Sequence, residues 1–167
     1  MVMRFKRNEF LDIVNDIIIN EEVQKLKLYK HHYAYTRFEH SLSVAYYSYI
    51  ICRVLHLDYE SIARAGLLHD LFFYDCEDKT IRPKKHISNH PKVALQNAER
   101  LFSLNSIEKD IILKHMWPLT FVPPKYLESF IITFVDKYCA LKEWSNYCGY
   151  RIFNYYSFSF RKKRHTF

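Results

Sequence analysis

The scarcity of glycine is the feature of this sequence that most limits its fold. Only two glycines occur among 167 residues, whereas 49% of the residues are hydrophobic. An architecture of many β-turns needs glycine at turn positions, and a disordered chain has a low hydrophobic content. Both classes are therefore disfavoured, and we predict an all-α fold. A chain of this length forms one domain that can bury a core of its own.

Apolar residues recur at spacings near three and four along most of the chain, a pattern typical of amphipathic helices. The predicted fold is a compact bundle of about six helices, over residues 9–28, 40–57, 59–73, 90–102, 107–116 and 126–144. Pro91 suits a first helical position, and the polar residues 75–89 before it predict a loop. Residues 146–167 are aromatic and basic without clean periodicity, and we expect them to form an extension.

The net charge of +7 belongs mainly to that extension. Residues 145–167 contain five Arg or Lys residues and no acid, which leaves +2 for the rest of the chain. Nucleic-acid binding through the tail is thus an alternative, but we do not expect it, because the charge lies outside the folded body. No apolar run reaches the length of a membrane span, and the segment MVMRFKRNEF lacks a long apolar region, so we expect a cytoplasmic protein. The four cysteines form no CxxC pair, which indicates reduced thiols.

Six histidine and aspartate residues lie at the ends of predicted helices or within apolar ones: His40, His69, Asp70, His90, His115 and Asp136. Asp136 is embedded in the segment FIITFVDKYCAL, where an ionised carboxylate needs a charged partner or a metal. A lone histidine near a helix end is more often a cap or a satisfied core residue. The six positions together, rather than any one of them, indicate a metal site.

The motifs around these residues resemble the signatures of HD-domain phosphohydrolases. EHSLSVAYYS, GLLHDL, NHPKVAL, IILKHMWPL and FVDKYCAL occur in the order of that family, across residues 30–145. The resemblance implies an HD-type helical domain over residues 1–145. It also implies that His40, His69, Asp70 and Asp136 hold one metal, that His90 and His115 hold a second, and that Asp70 bridges the two. Mixed imidazole and carboxylate donors suit iron, manganese, zinc or nickel.

The activity that the resemblance implies is hydrolysis of a phosphomonoester or phosphodiester in a small metabolite, which we expect to be a nucleotide. The metals would activate a water and neutralise the phosphoryl oxygens. Asp70 and Arg37 are the predicted catalytic residues, Arg37 as a two-point phosphate contact. Lys114 and Lys137 are weaker candidates for that contact. The alternative is a non-catalytic sensor module that keeps the HD fold and binds a nucleotide or a metal.

For most other polar residues near the motifs we predict positions on the surface or in a loop. His31, His32, His56 and His165 match no motif and are predicted to lie on the surface. His86 stands four residues before His90 and is a possible substitute for it. Asp75 and Asp78 are predicted to belong to a polar loop.

Overall fold

A computed structural model of the chain describes residues 2–31, 35–74 and 86–163, with side chains at 8–31, 35–74 and 87–148. The described residues form helices and one isolated antiparallel bridge between Lys30 and Thr36. The all-α prediction is confirmed. The α-helices are α1 (Val2–Ile18), α2 (Glu21–Gln24), α3 (Arg37–Val54), α4 (Tyr59–Leu68), α5 (His86–Leu101), α6 (Ser106–Lys114) and α7 (Leu127–Lys163), with a 3-10 helix at Lys25–Leu28.

Capping side chains account for two helix starts that we predicted wrongly. The predicted helix over 9–28 is broken because Asn20 accepts hydrogen bonds from the amides of Glu22 and Val23 and so begins α2. Helix α3 begins three residues before the predicted start. The Thr36 hydroxyl accepts from the Glu39 amide while the Glu39 carboxylate accepts from the Thr36 amide, which forms a capping box.

Helix α3 lies at the centre of the bundle and packs against both α4 and α7. Val44, Ala45 and Tyr49 of α3 are fully buried. The approach of α3 to α4 is close at Gly66, where an added Cβ would lie 2.7 Å from the Ala45 Cα. The glycine is therefore needed for packing, and this contact fixes the middle of α3 relative to the last turn of α4.

Two further helix ends differ from the predictions. Helix α4 ends at Leu68, earlier than the predicted end at 73, and His69 is its C-cap residue. Helix α5 starts at His86 rather than at His90, so that Pro91 lies inside the helix. The residues just before Pro91 are polar except for Ile87, and they give no apolar periodicity from which to predict this start. Residues 75–85 of the predicted loop lie outside the described residues, and so do Asp75 and Asp78.

Helix α7 continues well past its predicted end at residue 144 and runs to Lys163. The sequence beyond Trp144 contains no proline and a single glycine, so no strong helix breaker interrupts it. The boundary that we placed between residues 145 and 146 stays a prediction. None of the described helices is both long and apolar enough to cross a membrane.

Candidate metal centre

The six predicted ligands converge from five helices. His40 lies in the first turn of α3, the His69–Asp70 pair follows α4, and His90 lies in α5. His115 is the C-cap residue of α6, and Asp136 lies in α7. All of them except Asp136 are buried, and the Asp136 side chain is 14% exposed. Residues distant in sequence are thus brought to one end of the bundle.

One group of donor atoms surrounds the Asp136 carboxylate. Asp136 Oδ1 lies 3.0 Å from His40 Nε2 and 3.7 Å from His69 Nε2. His69 Nε2 is also 3.8 Å from Asp70 Oδ2. The donor atoms of His40, His69 and Asp136 lie within 4.8 Å of one another, which is close enough for all three to bind one ion.

A second group surrounds the other oxygen of Asp70. Asp70 Oδ1 lies 3.4 Å from His90 Nε2 and 3.6 Å from His115 Nε2. The two imidazole nitrogens are 2.9 Å apart. Asp70 therefore has one oxygen facing each group.

Backbone carbonyls fix which nitrogen of two histidines faces the centre. The Nδ1–H of His69 donates to the Gly66 carbonyl at 2.8 Å, and the Nδ1–H of His115 donates to the Ile112 carbonyl at 2.8 Å. Both bonds return to the last turn of the preceding helix, where carbonyls lack helical partners. Each Nε2 then carries a lone pair directed into the centre.

Two buried polar atoms of the centre provide a test of whether a metal fits. His69 Nε2 and Asp70 Oδ1 are buried and have no hydrogen-bond partner among the described atoms. Buried polar atoms without partners are rare in native proteins, because the lost hydration is not replaced. A divalent cation between imidazole nitrogens and carboxylate oxygens would satisfy both atoms. The residues present fit the metal that the sequence predicts.

The electrostatics of the centre also suit metal ligands. Burial alone would raise the pKa of Asp70 and of Asp136, but the neighbouring histidines outweigh it and hold both pKa values well below their usual range. Burial, with the nearby imidazoles of His69 and His90, lowers the pKa of His115 to about 3. Ionised carboxylates and a neutral His115 imidazole are the forms that bind a cation. Burial opposes a charge on His69, but Asp70 and Asp136 outweigh it and raise the pKa of His69, so this imidazole would release a proton when a cation binds.

Glu143 also belongs to the centre, although none of the sequence motifs includes it. His40 Nδ1–H donates to Glu143 Oε1 at 2.9 Å, and Glu143 is only 5% exposed. Burial opposes a charge on His40, but the hydrogen bonds to Asp136 and Glu143 outweigh it and raise the pKa of His40 to about 10. Glu143 stands seven residues after Asp136, two turns along the same face of α7, and this spacing is the signal that was available.

The prediction that His31 lies on the surface is wrong. Its side chain is 12% exposed, and its ring stacks on His40 with centroids 3.8 Å apart. His56 is exposed, as predicted. His32, His165 and the side chain of His86 lie outside the described residues.

Arg37 donates hydrogen bonds to backbone carbonyls inside the protein. The side chain is fully buried, and its guanidinium donates to the carbonyls of Phe72 at 2.7 Å and Tyr74 at 3.1 Å. The guanidinium carbon also lies 3.7 Å from the centroid of the Phe72 ring. Arg37 thus anchors the segment that follows the His69–Asp70 pair. Its phosphate contact stays a prediction.

Lys114 and Lys137, the weaker candidates for the phosphate contact, also donate hydrogen bonds to backbone carbonyls. Lys114 Nζ donates to the Pro123 carbonyl at 3.0 Å and lies 3.3 Å from Asp110 Oδ1. Lys137 Nζ donates to the carbonyls of His115 and Thr133, each at 3.1 Å. Lys137 therefore supports the backbone of a candidate ligand.

Comparison with known proteins identifies the family. A family model for the HD domain matches residues 37–141, more than half of the chain and the span that carries all six candidate ligands. The protein belongs to the HD domain family, whose members are mostly metal-dependent hydrolases. The comparison with curated proteins found no match, and neither did the comparison with solved structures.

Proposed function

We propose that the protein is a metal-dependent phosphohydrolase with two divalent ions, acting on a small phosphorylated metabolite, specifically a nucleotide. The observation that carries this proposal is the orientation of Asp70. Its Oδ2 faces the group that contains His69, and its Oδ1 faces His90 and His115. A carboxylate placed between two sets of donors is suited to bridge two ions.

Each ion would have its own set of ligands from this chain. The first would be held by His40, His69 and Asp136 together with Asp70 Oδ2, and the second by His90 and His115 together with Asp70 Oδ1. When bound, two such ions supply a nucleophilic water near neutral pH and neutralise the charge on phosphoryl oxygens. The donors are imidazole and carboxylate groups, which suit iron, manganese, zinc or nickel.

The protein groups contribute by holding their positions. The carbonyls of Gly66 and Ile112 hold the rings of His69 and His115 with Nε2 towards the centre. Glu143 holds the ring of His40, as carboxylates beside metal-binding histidines do. The centre therefore needs little rearrangement when substrate arrives, which is the condition for electrostatic stabilisation of a transition state. The cytoplasmic location stays a prediction.

The experiment is reconstitution of the chelator-stripped protein with Mn²⁺, Fe²⁺, Zn²⁺ or Ni²⁺, followed by a panel of nucleotides and of p-nitrophenyl phosphate mono- and diesters. We expect hydrolysis only after a metal is restored, and its loss in Asp70→Ala. Asp12→Ala is the matched control, because Asp12 is exposed on α1, away from the centre. A protein that binds nucleotides without hydrolysing any of them would support the sensor alternative and overturn the proposal.

A further inference from the structure

His31 is held beside the centre by the backbone on both sides of it. Its amide donates to the Tyr35 carbonyl at 3.0 Å, and the next bridge pairs Lys30 with Thr36. The Arg37 amide donates to the Tyr29 carbonyl at 2.9 Å, which joins this segment to the first residue of α3. The position of His31 relative to His40 is therefore fixed by main-chain hydrogen bonds.

The ring of His31 faces the first group of ligands. It lies nearly parallel to the ring of His40, with an interplanar angle of 26°. His31 Nδ1 is 3.7 Å from Asp70 Oδ2, nearly the same distance as His69 Nε2 is from that oxygen. Donor atoms of His31, His40 and Asp70 all lie within 4.8 Å of one another.

These separations are those of ligands around an ion rather than of a direct hydrogen bond. A nitrogen and an oxygen 3.7 Å apart are too distant for a hydrogen bond. Donors that each bind an ion at about 2.0 to 2.2 Å lie up to about 4.4 Å from one another. A cation placed between Asp70 Oδ2 and the imidazoles of His31 and His40 would be close enough to contact all three.

We infer that His31 is a fifth protein ligand of the first ion, in addition to His40, His69, Asp70 and Asp136. This inference rests on the proposed function. Five protein donors leave one position of an octahedral ion for solvent or substrate. The first site would then favour six-coordinate manganese, iron or nickel over tetrahedral zinc. His31 is also the most exposed histidine of the set, so its ligand position is at the mouth of the centre.

The test measures metal binding rather than catalysis. Stripped wild-type protein and the variants His31→Gln and His31→Asn are titrated with Mn²⁺ and with Co²⁺, and the visible absorption of bound Co²⁺ reports its coordination number. Two variants are compared so that a folding defect in one does not remove the test. His56→Gln is the matched control, because His56 is exposed.

We expect both His31 variants to bind one of the two ions at least about tenfold more weakly, with the other ion unchanged. The Co²⁺ absorption should intensify as the coordination number falls, and His31→Asp should restore part of the affinity because its anionic carboxylate is a stronger donor than a neutral amide. Wild-type affinities and an unchanged Co²⁺ spectrum in both variants would overturn the inference, and so would a raised KM with unchanged metal binding. Wild-type protein that binds no ion would instead refute the proposed function.

Discussion

His90 Nε2 lies 2.9 Å from His115 Nε2, although 25 residues separate the two histidines in sequence. The other ring nitrogen of His115 donates to the Ile112 carbonyl, which directs a lone pair towards His90. Asp70 Oδ1 lies within 3.6 Å of both nitrogens. Two imidazoles and a carboxylate oxygen face one small volume, and this arrangement accounts for the second ion of the proposed centre.

The pair of His90 and His115 gives a first prediction, which concerns the number of bound ions. His115→Gln removes a donor of the second ion but leaves His40, His69 and Asp136 in place. We expect this variant to retain the first ion and lose the second, as measured by the metal content after dialysis. His56→Gln should retain both ions. Loss of both ions in a folded His115→Gln variant would show that the two groups are not separate sites.

A second prediction concerns Glu143, whose carboxylate accepts the Nδ1–H of His40. Replacing it by glutamine keeps the size of the side chain but removes the charge that orients the imidazole. We expect Glu143→Gln to weaken the binding of the first ion about 10- to 100-fold, as measured by competition with a chelator. Glu99→Gln is the control, because Glu99 is exposed and pairs with Lys109. Equal affinities in the two variants would count against a positioning role for Glu143.

The helix contact at Gly66 supplies a third prediction. A Cβ at this position would meet the Cα of Ala45, a backbone atom that cannot move without moving α3. We expect Gly66→Ala to lower the free energy of unfolding by about 1–3 kcal/mol, measured by urea denaturation. The exposed α5 substitution Gln96→Ala should change it little. A Gly66→Ala variant as stable as the wild type would mean that the two helices separate without cost.

A substitution of Arg37 gives a fourth prediction, which distinguishes a structural role of this residue from a role in substrate binding. Its removal leaves the carbonyls of Phe72 and Tyr74 without these buried donors. We expect Arg37→Ala to lower the free energy of unfolding by about 2–4 kcal/mol, since each buried acceptor left unpaired costs about 1–3 kcal/mol. Urea denaturation of the metal-free variant measures this directly. Normal stability with a raised KM for a phosphoester would instead support Arg37 as a phosphate contact.

Asp110 supplies a prediction about pH that is independent of the metal. Burial would raise its pKa, but a hydrogen bond from the Lys125 amide and the nearby Lys114 outweigh burial and lower it. When a carboxyl group has a lower pKa in the folded protein than in the unfolded protein, it stabilises the fold at pH values above its unfolded pKa. This contribution is lost as the pH falls through the folded pKa. The difference in unfolding free energy between wild type and Asp110→Asn should therefore be larger at about pH 6 than at about pH 3. A difference that does not change with pH would contradict this assignment.

The sequence predicts much of this protein, and what it does not predict has identifiable causes. Helical periodicity indicates the all-α fold, and the ordered motifs identify the HD family and six residues that the structure brings together. Glu143 and His31 lie outside those motifs, and their contacts with His40 depend on tertiary packing. The orientation of the His69 ring likewise follows from the Gly66 carbonyl at the end of α4, which no sequence pattern displays. The Thr36 and Glu39 capping box, in contrast, was readable and would have given the start of α3.

The proposed two-ion centre requires Asp70 to bind both ions. Its most direct test is the metal content of purified wild-type protein after reconstitution with Mn²⁺ and dialysis, beside that of Asp70→Ala. We predict about two ions per wild-type chain and a marked loss of bound metal in the variant. Wild-type protein that retains no metal, or an Asp70→Ala variant that retains as much metal as the wild type, would contradict the proposed two-ion centre.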